Sequence, residues 1–127
     1  MLIQDMTEGA SLKLLKRAML GRVACAHEGQ PYITPMSVTY HENSLYGFST
    51  VGQKILWMRA NPQVCVEVEE LVSAHNWATV IVIGRYQELV SDADCRRAHD
   101  LMIHRPAWWE AGYSEVAGMF ETGIRLR

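Results

Sequence analysis

The stretch "YGFSTVGQKILWMRANPQVCVEV", Tyr46 to Val68, decides most of the fold. It opens as a strand, reaches Ser49-Thr50, and turns through Val51-Gly52 into a short amphipathic run over residues 52–60 with Ile55, Leu56, Met58 and Arg59. Asn61 stands before Pro62. A residue in that position is pushed out of the α region, so the helix closes there. Val64, Val66 and Val68 then alternate, which marks a strand with one apolar face.

At the helix entrance two hydroxyls, a glycine and a lysine stand within six residues, "STVGQK". A helix N-terminus offers unpaired N–H groups and a partial positive charge. Hydroxyls add donors without bulk, glycine lets backbone come close, and lysine adds a full charge. These are the parts of a phosphate cradle. The GxxxxGK[ST] spacing of a nucleotide-binding P-loop is absent. On its own the hexapeptide serves equally well as a capped helix with a solvated lysine.

Upstream, "TEGASLKLLKRAML" reads as a helix over 7–20, with Thr7 as its cap, Leu12, Leu15 and Met19 at helical spacing, and Gly21 at the C-cap. Arg22–His27 is a strand, Glu28-Gly29-Gln30 a tight hairpin connection, and Pro31–His41 a second strand. On that strand Tyr32, Thr34, Met36, Val38 and Tyr40 share a face, and Pro35 demands a bulge or a free edge. Glu42-Asn43-Ser44 is the next turn. Downstream, "WATVIVIGRYQELV" is the longest strand, apolar at its centre on both faces. Asp92 caps a second long helix running to about His104, with Ala98, Leu101 and Met102 inward. "RPAWWEAGYSEVAG" reads as a loop and "MFETGIRLR" as a last strand. Strands joined in hairpins with helices at the edges indicate a mainly β, α+β fold, an antiparallel barrel or sandwich.

The 127 residues suit one domain, 1–127. A net charge of −2 gives no basic field of the kind nucleic-acid binders use. No apolar run is long enough to span a bilayer, and the first residues lack the pattern of a signal peptide. Cys25, Cys65 and Cys95 form no CxxC and sit in apolar or helical runs, as expected of small hydrophobes in a reducing cytoplasm. The five histidines show no HxxxH spacing, so no metal site is expected. Glu67 and Glu69 share a strand face toward water or a partner, with little support for a general base. Arg96, Arg97, Arg105, His99 and His104 read as a solvated helix stripe, and Trp108 and Trp109 as closing the core.

Taken together, the segments resemble the pyridoxamine 5′-phosphate oxidase-like flavin-binding proteins, which fold as an antiparallel split β-barrel with flanking helices. The resemblance rests on "LGRVACAHEGQPYITPMSVTYHENSLYGFSTVGQKILWMRANPQVCVEVEEL" followed by "WATVIVIGRYQEL", and it covers about residues 1–110. The family pattern of LGR, a PY-x-x-P turn, a strand ending in S-[ST], G-x-K, R-x-N-P, VC-x-E-V and W-x-S/T-V-x-x-x-G is met in order. The resemblance implies FMN in grooves at a homodimer interface. Pro35, Met36, Ser37 and Val38 would pass along the isoalloxazine ring. Ser49, Thr50 and Lys54 would hold the phosphate, and Trp77 and Thr79 would meet the cofactor, often from the other subunit. It implies a flavin oxidoreductase with a small-molecule electron donor or acceptor and no nameable catalytic side chain. The alternatives in the same barrel are a non-catalytic flavin-binding or sensor protein, or a deazaflavin or haem ligand, the latter with His41 or His75 as axial candidates. Vitamin B6 oxidation itself is not expected, because the C-terminal arginine- and histidine-containing substrate motif of that activity is missing. Similar proteins continue past the last strand and have a longer loop after "WWEAGY", so the resemblance leaves two alternatives: a natively brief chain, or a tail beyond Arg127 that carries groove contacts.

Overall fold

A computed structural model describes residues 3–102 and 115–125 of the chain. Its elements run α1 (Glu8–Arg17), β1 (Leu20–His27), β2 (Gln30–Ser37), β3 (Thr39–His41), β4 (Ser44–Thr50), α2 (Gln53–Ala60), β5 (Gln63–Ser73), β6 (Asn76–Glu88), α3 (Asp92–Met102) and β7 (Glu115–Arg125). All seven strands join one antiparallel sheet in the order β2-β1-β5-β6-β7-β4-β3.

That order closes on itself. The two edge strands, β2 and β3, are consecutive in the chain and are separated by Val38 alone. With one residue between them, the strand ends lie at most about 7 Å apart. The sheet must therefore curl until its edges meet, which is the split barrel. Val38 is fully buried, and its N–H donates to the Met19 carbonyl at 3.1 Å. Against Met36 and Ser37, next to the seam, β4 carries Gly47. A Cβ there would come within 2.5 Å of Met36 Cε and 3.1 Å of the Ser37 carbonyl oxygen.

The hairpins β1–β2 and β3–β4 use two-residue turns, Glu28-Gly29 and Glu42-Asn43. All four of these turn residues have positive φ, as the type I′ turn that suits twisted strands requires. Asn43 is held by Tyr40, whose hydroxyl donates to Asn43 Oδ1 at 3.1 Å and accepts from the Asn43 N–H at 3.2 Å. Inside the curl, Val23, Val66 and Val82 form one row across β1, β5 and β6, and Val68 pairs with Val80. Leu14 and Leu15 of α1 and Ile55 and Met58 of α2 complete this core. A second, smaller cluster joins Tyr46 of β4 to Leu89, Ala98 and Met102 under α3.

Several boundaries differ from the sequence expectation, each for a physical reason. Thr7 caps α1, with Oγ1 accepting from the Ala10 N–H at 3.1 Å, but the helix stops at Arg17. Gly21 is no helix cap. It sits within β1, where a side chain would meet Val66 Cγ1 at 2.9 Å. Met19 lies outside the helix and is exposed. The expected strand over 31–41 is two strands, broken at Val38 by the barrel seam. Pro35 causes no bulge, because the β1–β2 register is unbroken, and it is tolerated because β2 is an edge. Ser91 rather than Asp92 caps α3: its Oγ accepts from the Asp94 N–H at 3.1 Å. The last strand begins at Glu115, four residues before the expected Met119. Strand β6 is not covered on both faces within one chain, since Ile83 is 42% exposed. The expectations for His104, Arg105, Trp108 and Trp109 lie outside the described residues. Among the described residues, no helix is long and apolar enough to cross a membrane, and no cluster of side chains could hold a metal ion.

Two substitutions probe the core. Gly47→Ala is expected to lower the unfolding free energy by about 1–3 kcal/mol in urea titration, because Met36 and the Ser37 carbonyl must both give way. Ser11 on α1 is buried, and its hydroxyl has no hydrogen-bond partner. Ser11→Ala is therefore expected to leave stability unchanged or raise it by up to ~1 kcal/mol, the reverse of an ordinary buried truncation.

Candidate functional site

Helix α2 follows β4 after only Val51 and Gly52. Gly52 is its N-cap and supplies no side-chain hydrogen bond to the first turn. The space where a Gly52 side chain would project is empty to 4 Å. The backbone of Gly52 is extended, with φ of −137°, so any residue could adopt it. What glycine contributes is access. The helix mouth is open on the side where an anion would approach.

Lys54 sits in the first turn of α2 and is half-buried. Burial pushes its ammonium below the usual lysine range, with the charge interaction with Cys25 opposing. Cys25 is buried on the inner face of β1, and burial raises its thiol while Lys54 pulls it down. A cation held partly out of water, next to an uncapped helix terminus, is short of negative charge. A phosphate supplies that charge.

The other residues expected at the site fall into two places. Met36 and Val38 are buried members of the core, so their side chains are not available to a ligand there. Ser37 and Ser49 are buried as well, and both have polar partners. Pro35 is exposed. Among the described residues, β1 is the only strand that pairs with β2, which is an edge of the sheet. Gly47 brings the Met36–Ser37 segment against β4, two residues ahead of Ser49. Thr50 ends β4, paired with Glu115 of β7.

Trp77 and Thr79 lie elsewhere in the chain. They line an open groove of about 320 Å³ with Glu69, Glu70, Leu71, Ala74 and Ala78 at the tip of the β5–β6 hairpin. None of residues 35–38 or 49–54 lines it. Trp77, Ile83 and Ile33 lie on one face of the sheet and are exposed, Ile33 at 62%, with Glu67, Glu69 and Arg22 between them. Both glutamates of the groove are paired: Arg17 makes a fork to Glu70 at 2.8 and 3.1 Å, and Arg22 contacts Glu69. Arg22 also reaches Glu67 at 3.5 Å. Burial, then the Glu69 charge, lifts the Glu67 carboxyl above its usual range despite Arg22.

One feature of the site was not visible in the sequence. Arg59, on the last turn of α2, forms a fork to Glu88 of β6 at 2.9 and 3.2 Å, and the buried Tyr86 hydroxyl donates to the same carboxylate at 2.8 Å. Arg59 holds the Glu88 carboxyl below its usual range, with Tyr86 adding to the effect and burial opposing it. Burial and Glu88 together push the Tyr86 phenol well up. The R-x-N-P motif marked one end of this contact, but nothing in the sequence paired it with a glutamate 29 positions on.

The profile of the pyridoxamine 5′-phosphate oxidase family matches residues 7–123. The chain belongs to this family. A curated relative, the uncharacterized protein RA0666 of Rhizobium meliloti strain 1021, is 44% identical over 97 residues, which are 73% of this chain. The chain spans 64% of the length of that relative. Among solved structures, an FAD-binding protein of Mesorhizobium loti, mll6688, is 34% identical with a TM-score of 0.87, covering 99% of this chain and 96% of its own. An FAD binding protein of Mycobacterium smegmatis has a TM-score of 0.75 at 18% identity, covering 97% and 95% of the two chains, and so shares the fold. The α+β split barrel expected from the sequence is therefore the fold of this protein.

The Arg59–Glu88 pair has a pH signature. A carboxyl whose folded pKa is depressed contributes stability above its unfolded value, near 4.3, and loses it as pH falls through the folded one. Glu88→Gln is expected to cost ~1 kcal/mol at neutral pH, the order of a geometrically good, partly exposed pair. The gap between wild type and variant in urea unfolding should close as pH drops below about 4.

Proposed function

We propose that this protein is an FMN-binding oxidoreductase that works as a homodimer, with the flavin phosphate at the mouth of α2. The observation that carries the reading is the uncapped, open N-terminus of α2 with Lys54 half-buried in its first turn, in a chain of this family. Lys54, with Ser49 and Thr50 at the end of β4, holds the phosphate in this reading. The edge strand β2 at Pro35, Met36, Ser37 and Val38 passes along the polar edge of the ring in this reading. A bound flavin would supply the electron chemistry, and the protein positions it and leaves one ring face open. The electron donor or acceptor is a small molecule.

The dimer follows from the same reading. Trp77 and Thr79 lie away from Lys54 within one chain, so they meet the flavin only if a second copy brings them to it. The exposed Ile33, Ile83 and Trp77 on that face support such a contact. FAD is the second reading of the cofactor, favoured by the FAD-binding protein of Mesorhizobium loti at 34% identity.

Release of the cofactor by heat and its separation by chromatography distinguishes FMN from FAD directly. Lys54→Ala is expected to weaken FMN binding by about 1–3 kcal/mol in a fluorescence titration, as for loss of a charge-assisted contact. Unchanged affinity would remove the phosphate site from α2. Light scattering at micromolar concentration should give about twice the chain mass for the wild type, and one chain mass for Ile83→Glu. Turnover of a reduced nicotinamide with an added acceptor separates an enzyme from a carrier or sensor.

A further inference from the structure

Helix α2 has an unusual problem of orientation. Ile55, Leu56, Trp57 and Met58 are four apolar residues in a row, a little more than one full turn. Ile55 and Met58 are buried, Trp57 is partly buried and Leu56 is exposed. Burial of Ile55 and Met58, with Trp57 packed on His27 and Tyr32, sets the inward face of the helix. Two polar contacts at the C-terminal end lock it there. The Asn61 side chain donates to the Ala26 carbonyl of β1 at 3.0 Å, and Arg59 forks onto Glu88 of β6 at 2.9 and 3.2 Å. Tyr86 locks the carboxylate from below at 2.8 Å, and its own N–H donates to the Pro62 carbonyl just after the helix. At the N-terminal end Ile55 is held in the core, and Gly52 adds no side-chain hydrogen bond.

Lys54 and Arg59 are five residues apart, so they project about 140° apart around the axis. One faces Cys25 of β1 and the other faces β6. A helix of eight residues is about 12 Å long and stiff. Its rotation at Arg59 is therefore its rotation at Lys54. We infer that the Arg59–Glu88–Tyr86 contact is a positioning device for the phosphate end of the site: it locks the rotation of α2 and so aims Lys54 and the first-turn N–H groups at one point. This rests on the reading of α2 as the phosphate cradle. Glu88 and Tyr86 touch no ligand in it and act through the helix.

The test compares FMN with riboflavin, which has the ring but lacks the phosphate, on wild type and Glu88→Gln. Misaiming the cradle is expected to weaken FMN about 5–20-fold while leaving riboflavin within about twofold, because only the phosphate contacts are charge-assisted. A purely structural loosening would weaken both equally, and that result would overturn the inference. The second readout needs no flavin: an NMR titration of the Lys54 ammonium, assigned with Lys54→Arg. Burial holds it below its usual range in the wild type, so a freed helix should let it rise. If the wild type binds neither flavin, the cradle reading fails, and the titration alone judges whether Glu88 positions Lys54. An unmoved Lys54 would sink the idea in either case. Should Glu88→Gln not fold, Tyr86→Phe removes one hydrogen bond and carries the same comparison, with an expected FMN-selective loss of about 2–5-fold.

Discussion

One covalent constraint organises this molecule: a single residue, Val38, joins the two edges of a seven-stranded sheet. A flat sheet of seven strands spaced about 4.8 Å apart would hold those edges nearly 30 Å from each other. The chain allows at most about 7 Å. Curvature is thus imposed by connectivity, and the rest of the sequence accommodates it. Gly47 removes a side chain where β4 passes Met36 and Ser37, and Gly21 does the same where β1 meets Val66. The type I′ turns at Glu28-Gly29 and Glu42-Asn43 supply the strand twist that the curl needs.

The seam also bears on the proposed flavin site. β2, an edge of the sheet, ends its pairing with β1 at the place where the sheet closes. Immediately across the seam, β4 runs into the open mouth of α2. A strand edge and a helix terminus are the two places where backbone polar groups remain unspent in a folded protein. Barrel closure sets both beside the same seam. The side chains between them, Met36 and Val38, are committed to the core. Substituting them would change stability before it changed recognition.

Local patterns made much of this legible in advance. The Val64-Val66-Val68 alternation, the stop at Asn61-Pro62 and the Thr7 cap all act over a few residues, and each appears as expected. The errors came where distant packing overrides local preference. Gly21 has the look of a helix cap, but its smallness serves a contact with Val66, 45 positions away. The strand over 31–41 reads as continuous because nothing local to Val38 reports that its two halves pair with different partners. The same limit hid Arg59–Glu88 and the approach of Lys54 to Cys25. At the candidate site, residue types announced a phosphate cradle, while the burial of Ser37, Ser49 and Met36 depends on the closed sheet and could not be read from spacing.

The strand order has a further consequence for synthesis. β7 follows the other six strands in the chain, yet it lies in the interior of the sheet, between β6 and β4. Until residues 115–125 leave the ribosome, the chain holds two separate pieces: a four-stranded sheet β2-β1-β5-β6 and a small β3–β4 hairpin. The hairpin bears Ser49 and Thr50, which gain their sheet partners Val116 and Glu115 only when β7 docks. Before β7 docks, β4 and β6 lack the strand that joins them. A chain cut short before β7 would lose the bridge in the middle of its barrel rather than a dispensable tail.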